Sequence, residues 1–363
     1  MKILLTTLAV FLPQIVSAAS FFGLPSLTYP SDLSDSGAVA GYTDREAFRW
    51  APTVGYTPLG FVDSPGYGGN HTTDVGGISS NGSLIVGASI TYSTSGFPQR
   101  SQAFIWTSAN GIQPLGDTSL RESSATGVSA NGQVATGWVM PASFSQCAVV
   151  WTAGIETQRF PVGTAGGAVS PNGLWIGGTD GRTPGVDAFL WSAATGFEII
   201  GSLGSGTDSV HAVSDDGSIA IGQGGNYTPF RWTRAGGILS LGLLEAGDFG
   251  YATDMTADGS IVVGAFGSAG AFIWTAQSGL RYLQEVLTND RALNLSGWSL
   301  RGATSISSDG STIVGYGIHN GVYEGFVASV PEPSLSVLLL AGAGLLVSRR
   351  RLRPNSSSRL RRG

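Results

Sequence analysis

The sequence predicts an all-β chain, a seven-bladed β-propeller of four-stranded antiparallel blades, and three observations carry that prediction. A short hairpin is written seven times: "LSDSGAVAG", "ISSNGSLIVG", "VSANGQVATG", "VSPNGLWIGG", "VSDDGSIAIG", "MTADGSIVVG" and "ISSDGSTIVG". A second pattern, "AFRW" at Ala47, recurs as "AFIW" at Ala103, "AVVW" at Ala148, "AFLW" at Ala188, "PFRW" at Pro229 and "AFIW" at Ala271. The composition supplies the third: 55 Gly in 363 residues, with only 12% charged and 42% hydrophobic. That balance suits many short strands and tight turns around a buried core, and it excludes disorder.

The hairpin glycines are Gly37, Gly82, Gly132, Gly173, Gly217, Gly259 and Gly310, spaced 45 residues apart on average. A period of about 40–45 residues holding four strands is the signature of a propeller blade. In the sixth repeat the four strands read "YATDMT" from Tyr251, "SIVVG" from Ser260, "AFIWT" from Ala271 and "GLRYL" from Gly279. Asn-Gly or Asp-Gly between the first two supplies the positive-φ positions of a two-residue hairpin turn. The same Ser/Asp/Gly runs invite a calcium reading. The residue before the glycine varies among Ser, Asn and Asp, however, and no alternating set of oxygen ligands follows.

In the third strand Phe and Trp lie two apart and point to one face, where they pack between neighbouring sheets. Six of the nine Trp sit there, with Arg49 and Arg231 on the opposite face. The seventh repeat has a third strand, "GFVAS" (325–329), but no fourth. The missing strand stands at the other end as "FFGLPSL" (21–27), so an N-terminal strand is expected to complete the last blade and remove its exposed edges. An open solenoid is the alternative to this closed ring. One insertion, "YLQEVLTNDRALNLSGWSL", places Leu283, Val286 and Leu287 at helical spacing, predicting a short rim helix before a strand led by Trp298.

The loops between second and third strands, and those between repeats, are long and irregular and should share one face. Variable loops on a rigid scaffold are where binding usually lives. The candidate ligand-face residues are Tyr67, Tyr92, Arg182, Tyr227, Tyr316 and Tyr323. Aromatic rings beside polar groups suit sugars, which offer an apolar face and hydroxyl edges.

Enzymatic signatures are lacking. Lys2 is the sole lysine, so a mature chain offers no phosphate-loop lysine and no Schiff base. His71, His211 and His319 are the only histidines, and His211, in "SVHAVS", reads as packing ahead of a hairpin. Zinc pairs and a nucleophile elbow are absent from the sequence, and no metal or cofactor is expected. Carboxylates are numerous enough for a paired-acid glycosidase, but no pair stands out. Cys147 is alone and reads as a buried small hydrophobe.

The two ends read as addresses. "MKILLTTLAVFLPQIVSAAS" has the basic residue, apolar run and small-residue site of a secretory signal peptide, assigned to residues 1–19. Residues 20–330 form the repeat body, with 11 Arg, 23 acids and no Lys. Such an acidic body is a poor partner for nucleic acid, whose affinity comes from neutralised phosphates. Beyond it the apolar run from Leu335 to Val347 has 13 residues. As a helix it would reach about 20 Å, a marginal membrane anchor ahead of an Arg cluster. Residues 354–363 form a basic tail.

Pro331-Glu332-Pro333, this short helix and Arg349, Arg350 and Arg351 resemble the PEP-CTERM sorting signal of bacteria, here residues 331–353. The resemblance implies transient membrane attachment, an exosortase as processing partner and association with exopolysaccharide. The body resembles the HAF family of bacterial extracellular repeats through its "hAFlW" strand, "IS-x-DG-x-x-IVG" hairpin and "LG-x-L" strand. That family implies location more than chemistry. The expected function is therefore a secreted, non-enzymatic cell-surface or matrix protein interacting with extracellular polysaccharide or other envelope components. A glycan-cleaving propeller enzyme and a purely structural biofilm matrix protein are the alternatives.

Overall fold

A computed structural model describes residues 19–62, 70–141, 145–182, 186–204, 206–267 and 269–330. The expected signal peptide, Tyr67, and the sorting-signal residues Pro331, Glu332, Pro333, Arg349, Arg350 and Arg351 lie outside the described residues. Residues 19–330 form one compact unit. Among the described residues it is all-β apart from one short helical segment, and its strands form antiparallel four-stranded meanders in a propeller-like arrangement. Five sheets have four strands each. One has eight, made of two meanders joined by a single parallel bridge between Glu122 and Ser101.

The sixth repeat shows the common plan. Gly250–Met255, Ile261–Phe266, Gly270–Thr275 and Gly279–Tyr282 pair in succession, within a residue or two of the boundaries read from the sequence. In the seventh repeat, Trp298–Ile306, Thr312–His319 and Val322–Ser329 pair in turn. The N-terminal strand Ser20–Ser26 then pairs antiparallel with Val322–Ser329, bringing Phe21 opposite Ala328 and Gly23 opposite Phe326.

The hairpin differs in detail from the two-residue turn expected. Gly82 has φ of 69°, but Asn81 does not share the left-handed region. The loop is longer: Ser79 N–H donates to Leu84 O at 2.9 Å and Gly82 N–H to Ser79 O at 2.8 Å. Side chains make the longer loop affordable. Ser79 Oγ accepts from Leu84 N–H at 3.0 Å and donates to Asn81 Oδ1 at 2.9 Å, and that oxygen accepts from Ser83 N–H at 3.0 Å. The same three bonds recur around Asn131, Asn172, Asp216, Asp258 and Asp309. Asn and Asp therefore recur for a side-chain oxygen, not for backbone freedom.

The glycine that ends the second-strand motif has its own cause. A Cβ on Gly87, Gly222 or Gly264 would lie 2.0, 1.9 or 2.2 Å from the carbonyl oxygen of Asp74, Ser209 or Tyr251 on the first strand. Over the same glycines sit the third-strand rings of Phe104, Phe230 and Phe272, all fully buried. Only hydrogen fits in that sandwich.

Apolar contact falls between sheets. Phe104 and Trp106 pack against Ala38, Ala47 and Leu59 of the preceding repeat, and Phe272 joins Ile221 and Leu241. Leu33 and Val39 of the first repeat pack with Val314 and Val327 of the seventh. Burying a Phe of this kind contributes about 1.5–3 kcal/mol. Arg49 and Arg231, on the other face of the third strand, donate from Nε to Gly82 O at 2.7 Å and Gly259 O at 3.2 Å in the next hairpin. Cys147 is buried.

The predicted rim helix is present over Leu283–Asp290, and Leu283 and Leu287 are buried in the cluster shared by the sixth and seventh repeats. Gln284 pins it to the adjoining strand: Nε2 donates to Trp298 O at 2.9 Å and Oε1 accepts from Leu300 N–H at 3.0 Å. Among the described residues no helix is long and apolar enough to cross a membrane.

Candidate functional site: a tyrosine-lined mouth over an acidic cavity

The first strands of all seven repeats wall one cavity of about 430 Å³. Each of these strands carries a β-bulge six residues before its hairpin glycine, at Ser31, Gly76, Thr126, Gly167, His211, Thr253 and Thr304. The bulge turns that residue into the cavity, and all seven line it. It also bonds the neighbour. Thr126 Oγ1 donates to Gly166 O at 3.0 Å, and Thr253 Oγ1 to Ala303 O at 2.9 Å. At Gly76 and Gly167 the next carbonyl is too close for a side chain: a Cβ would lie 2.1 Å from Ala125 O and 2.4 Å from Val210 O.

His211 belongs to this series. Its Nδ1–H donates to Ala252 O at 2.8 Å, the position served elsewhere by threonine hydroxyls. Burial lowers its pKa and favours the neutral ring. Its place in the fold is a wedge between repeats, as the sequence pattern suggested.

One residue further on, the ring is apolar or glycine except at Asp32, Asp254 and Ser305. Ser305 Oγ lies 2.9 Å from Asp32 Oδ1 and 2.7 Å from Asp254 Oδ2. Asp32 also accepts from Leu33 and Ile78 N–H, and Asp254 from Met255 and Ile306 N–H. A single hydroxyl proton cannot serve two carboxylates, so both contacts are hydrogen bonds only when one carboxyl is protonated. Burial first, then the charge of Asp32, pushes Asp254 up to about 7, and burial raises Asp32 as well. This cluster ties the first, sixth and seventh repeats together.

The end of the cavity opposite the hairpins opens into a space of about 540 Å³ lined by Tyr29, Tyr42, Tyr251, Tyr316 and Tyr323. Tyr29 stacks on Tyr42 with ring centroids 5.5 Å apart and lies 6.0 Å from Tyr316 and 5.9 Å from Tyr323. Burial raises the Tyr316 phenol to about 12, with Tyr251 beside it adding to the shift. Tyr29 and Tyr251 each stand eight residues before a hairpin glycine. The equivalent residue in the seventh repeat is Gly302, where a Cβ would meet the Tyr316 ring at 2.7 Å. The equivalent in the second repeat is Asp74, which lines an adjoining cavity of about 390 Å³. Burial raises the Asp74 carboxyl, and burial first, then the charge of Asp74, raises the Tyr42 phenol.

The sequence-derived candidates separate. Tyr316 and Tyr323 meet in the mouth. Tyr92 sits at the end of its strand, accepting from Thr72 Oγ1 at 3.5 Å. Arg182 grips Asp180 with two bonds of 2.7 Å and covers the Phe197 ring, a structural pairing. Tyr227 is exposed in a left-handed conformation (φ 54°) against Phe249. The loop-based reading did not single out Tyr29, Tyr42, Tyr251 or Asp74, and Tyr316 and Tyr323, which it did, also lie on strands. Aligning the repeats on their hairpin glycines would have found Tyr29, Asp74 and Tyr251 as one column.

No family description matches the chain, and no curated protein matches it. Among solved structures it is similar to a chain in the crystal structure of a mitotic checkpoint complex, at 14% identity and a TM-score of 0.53, covering 89% of this chain and 98% of that one. That likeness shows the fold alone.

Proposed function

We propose that this chain is a secreted, non-enzymatic interaction protein of the bacterial cell surface or its matrix, a closed seven-bladed propeller that holds extracellular polysaccharide at its tyrosine mouth. The observation that carries the reading is the convergence of five tyrosines from three repeats around one open cavity. Stacked phenol rings offer apolar faces to sugar rings and hydroxyls to their edges.

Ring closure is supported by ties between the ends of the repeat array. Ser308 N–H donates to Asp35 Oδ1 at 3.1 Å, Ser305 bonds Asp32, and the N-terminal strand completes the last sheet. Delivery rests on the PEP-CTERM resemblance at 331–353, with exosortase as the transient partner and the membrane engaged before processing. The purely structural matrix reading shares this scaffold and lacks only the ligand.

The test is calorimetric titration of the purified protein with neutral, acidic and amino oligosaccharides, alongside an assay for released reducing ends. Saturable binding that Tyr29→Ala weakens, with no reducing ends released, is expected. Binding to none of the sugars favours the structural matrix protein, and release of reducing ends favours the glycan-cleaving enzyme. Either result overturns the reading. Intact mass of the protein from native cells tests delivery: a chain ending near Pro331 is expected, and one ending at Gly363 in the membrane fraction overturns processing.

A further inference from the structure

We propose that the mouth is a cage for protonated amines, so that its preferred ligand is a glycan with free amino groups rather than a neutral or acidic one. The inference rests on the glycan-binding reading above and adds the ligand's charge.

Charge around the cavity carries the argument. Walking round the ring at the level eight residues before each hairpin glycine, Tyr251, Gly302 with Tyr316 over it, Tyr29 and Asp74 follow one another in the sixth, seventh, first and second repeats. Aromatic faces and a carboxylate thus occupy one arc. Asp32 and Asp254 lie deeper in the same cavity, and the shared Ser305 contact leaves that pair at least one negative charge once it has lost a proton. No arginine lines the central, mouth or adjoining cavities among the described residues. The face of a phenol ring is the negative end of its quadrupole and attracts ammonium groups, and a carboxylate beside it strengthens that attraction. An acidic glycan would meet the same carboxylates with repulsion.

An aromatic site for neutral sugars needs no such arrangement. Stacking on apolar sugar faces is indifferent to the sign of nearby charge. The carboxylates nearest this mouth, Asp32 and Asp254 in the central cavity and Asp74 in the adjoining one, all carry the same sign, and Asp74 has no basic partner among the salt bridges of the described residues.

The deciding measurement compares two probes of equal length and linkage: a β-1,4-linked glucosamine oligomer and its fully N-acetylated counterpart, titrated into the full purified protein at mildly acidic pH. The amine form is expected to bind about tenfold more tightly, with that margin shrinking as salt is raised. Asp74→Asn should remove most of the margin by weakening the amine oligomer far more than the acetylated one. Equal or tighter binding of the acetylated oligomer, or tightest binding of polygalacturonate, overturns the cage and leaves the glycan reading standing. Absence of binding by every sugar overturns both. A margin that persists undiminished in Asp74→Asn overturns the role assigned to that carboxylate.

Discussion

The two ends of the same first strands are built on opposite principles. At the hairpin end, six of the seven loops repeat one set of bonds, a Ser or Thr hydroxyl and an Asn or Asp oxygen capping the loop N–H groups, and the first is a shorter version in which Ser34 Oγ accepts from Ala38 N–H. At the mouth end, the residues eight before each glycine are Tyr, Asp, Ser, Ala, Ser, Tyr and Gly. One end is uniform because every sheet faces the same packing problem there. The other diverges because nothing in the packing demands a particular side chain. The boundary between them is the row of bulges.

The largest effect should come from the uniform side. Phe272→Ala removes a fully buried ring from over Gly264 and opens a cavity between the fifth and sixth repeats. A loss of about 3–5 kcal/mol is expected, read as a fall in urea midpoint. A loss under about 1 kcal/mol would mean that the Phe–Gly sandwich is not what fixes sheet spacing.

The Asp32–Ser305–Asp254 cluster lies just on the hairpin side of the bulges, where it breaks the uniform pattern, and it should make stability depend on pH. Asp254 sits near 7 when folded, against an ordinary value of 3.8. The folded chain therefore binds more protons than the unfolded one between those values, and stability must fall as pH rises through that window. Titratable neighbours that could reshape the profile are Asp35, His211 and Tyr251. Lowered carboxyls such as Asp216, drawn down to about 2 by its hydrogen bonds to Ser218 and Ser214, act in the opposite sense at lower pH. Asp254→Asn removes the charge, but an amide nitrogen in place of Oδ2 can no longer accept from Ile306 N–H. It should flatten the decline with pH while costing about 1–3 kcal/mol at acidic pH. An unchanged slope in that variant would show that the proton is not shared there.

Much of the scaffold was legible in the sequence because its causes are local and repeated. The "AFIW" strand is a short apolar run whose adjacent Ala and Phe are both buried, as a strand packed on two faces must be, and "FFGLPSL" announced itself as a missing fourth strand by matching its type. The turn type was misjudged because Asn-Gly suits two different hairpins, and only the hydroxyl two residues before Asn or Asp distinguishes them. The mouth was half legible. Tyr316 and Tyr323 were found because their stretch read as a variable loop, although both lie on strands, and Tyr29 and Tyr251 join them only when distant repeats are brought side by side. The Asp32–Asp254 pair spans 222 positions of sequence, and no spacing rule connects residues of repeats so far apart.

His211 tests where the boundary runs, with the smallest effect of the set. A histidine in a cavity wall invites a catalytic reading, yet its ring occupies the role of Thr126 and Thr253, donating one hydrogen bond to the next repeat. If it is scaffold, His211→Thr should restore that bond and change stability by no more than about 0.5 kcal/mol, while His211→Ala should lose about 1 kcal/mol by orphaning the Ala252 carbonyl. Neither variant should alter sugar binding. Loss of binding in His211→Thr with stability intact would move His211 across the boundary, from the uniform frame into the site that the frame holds open.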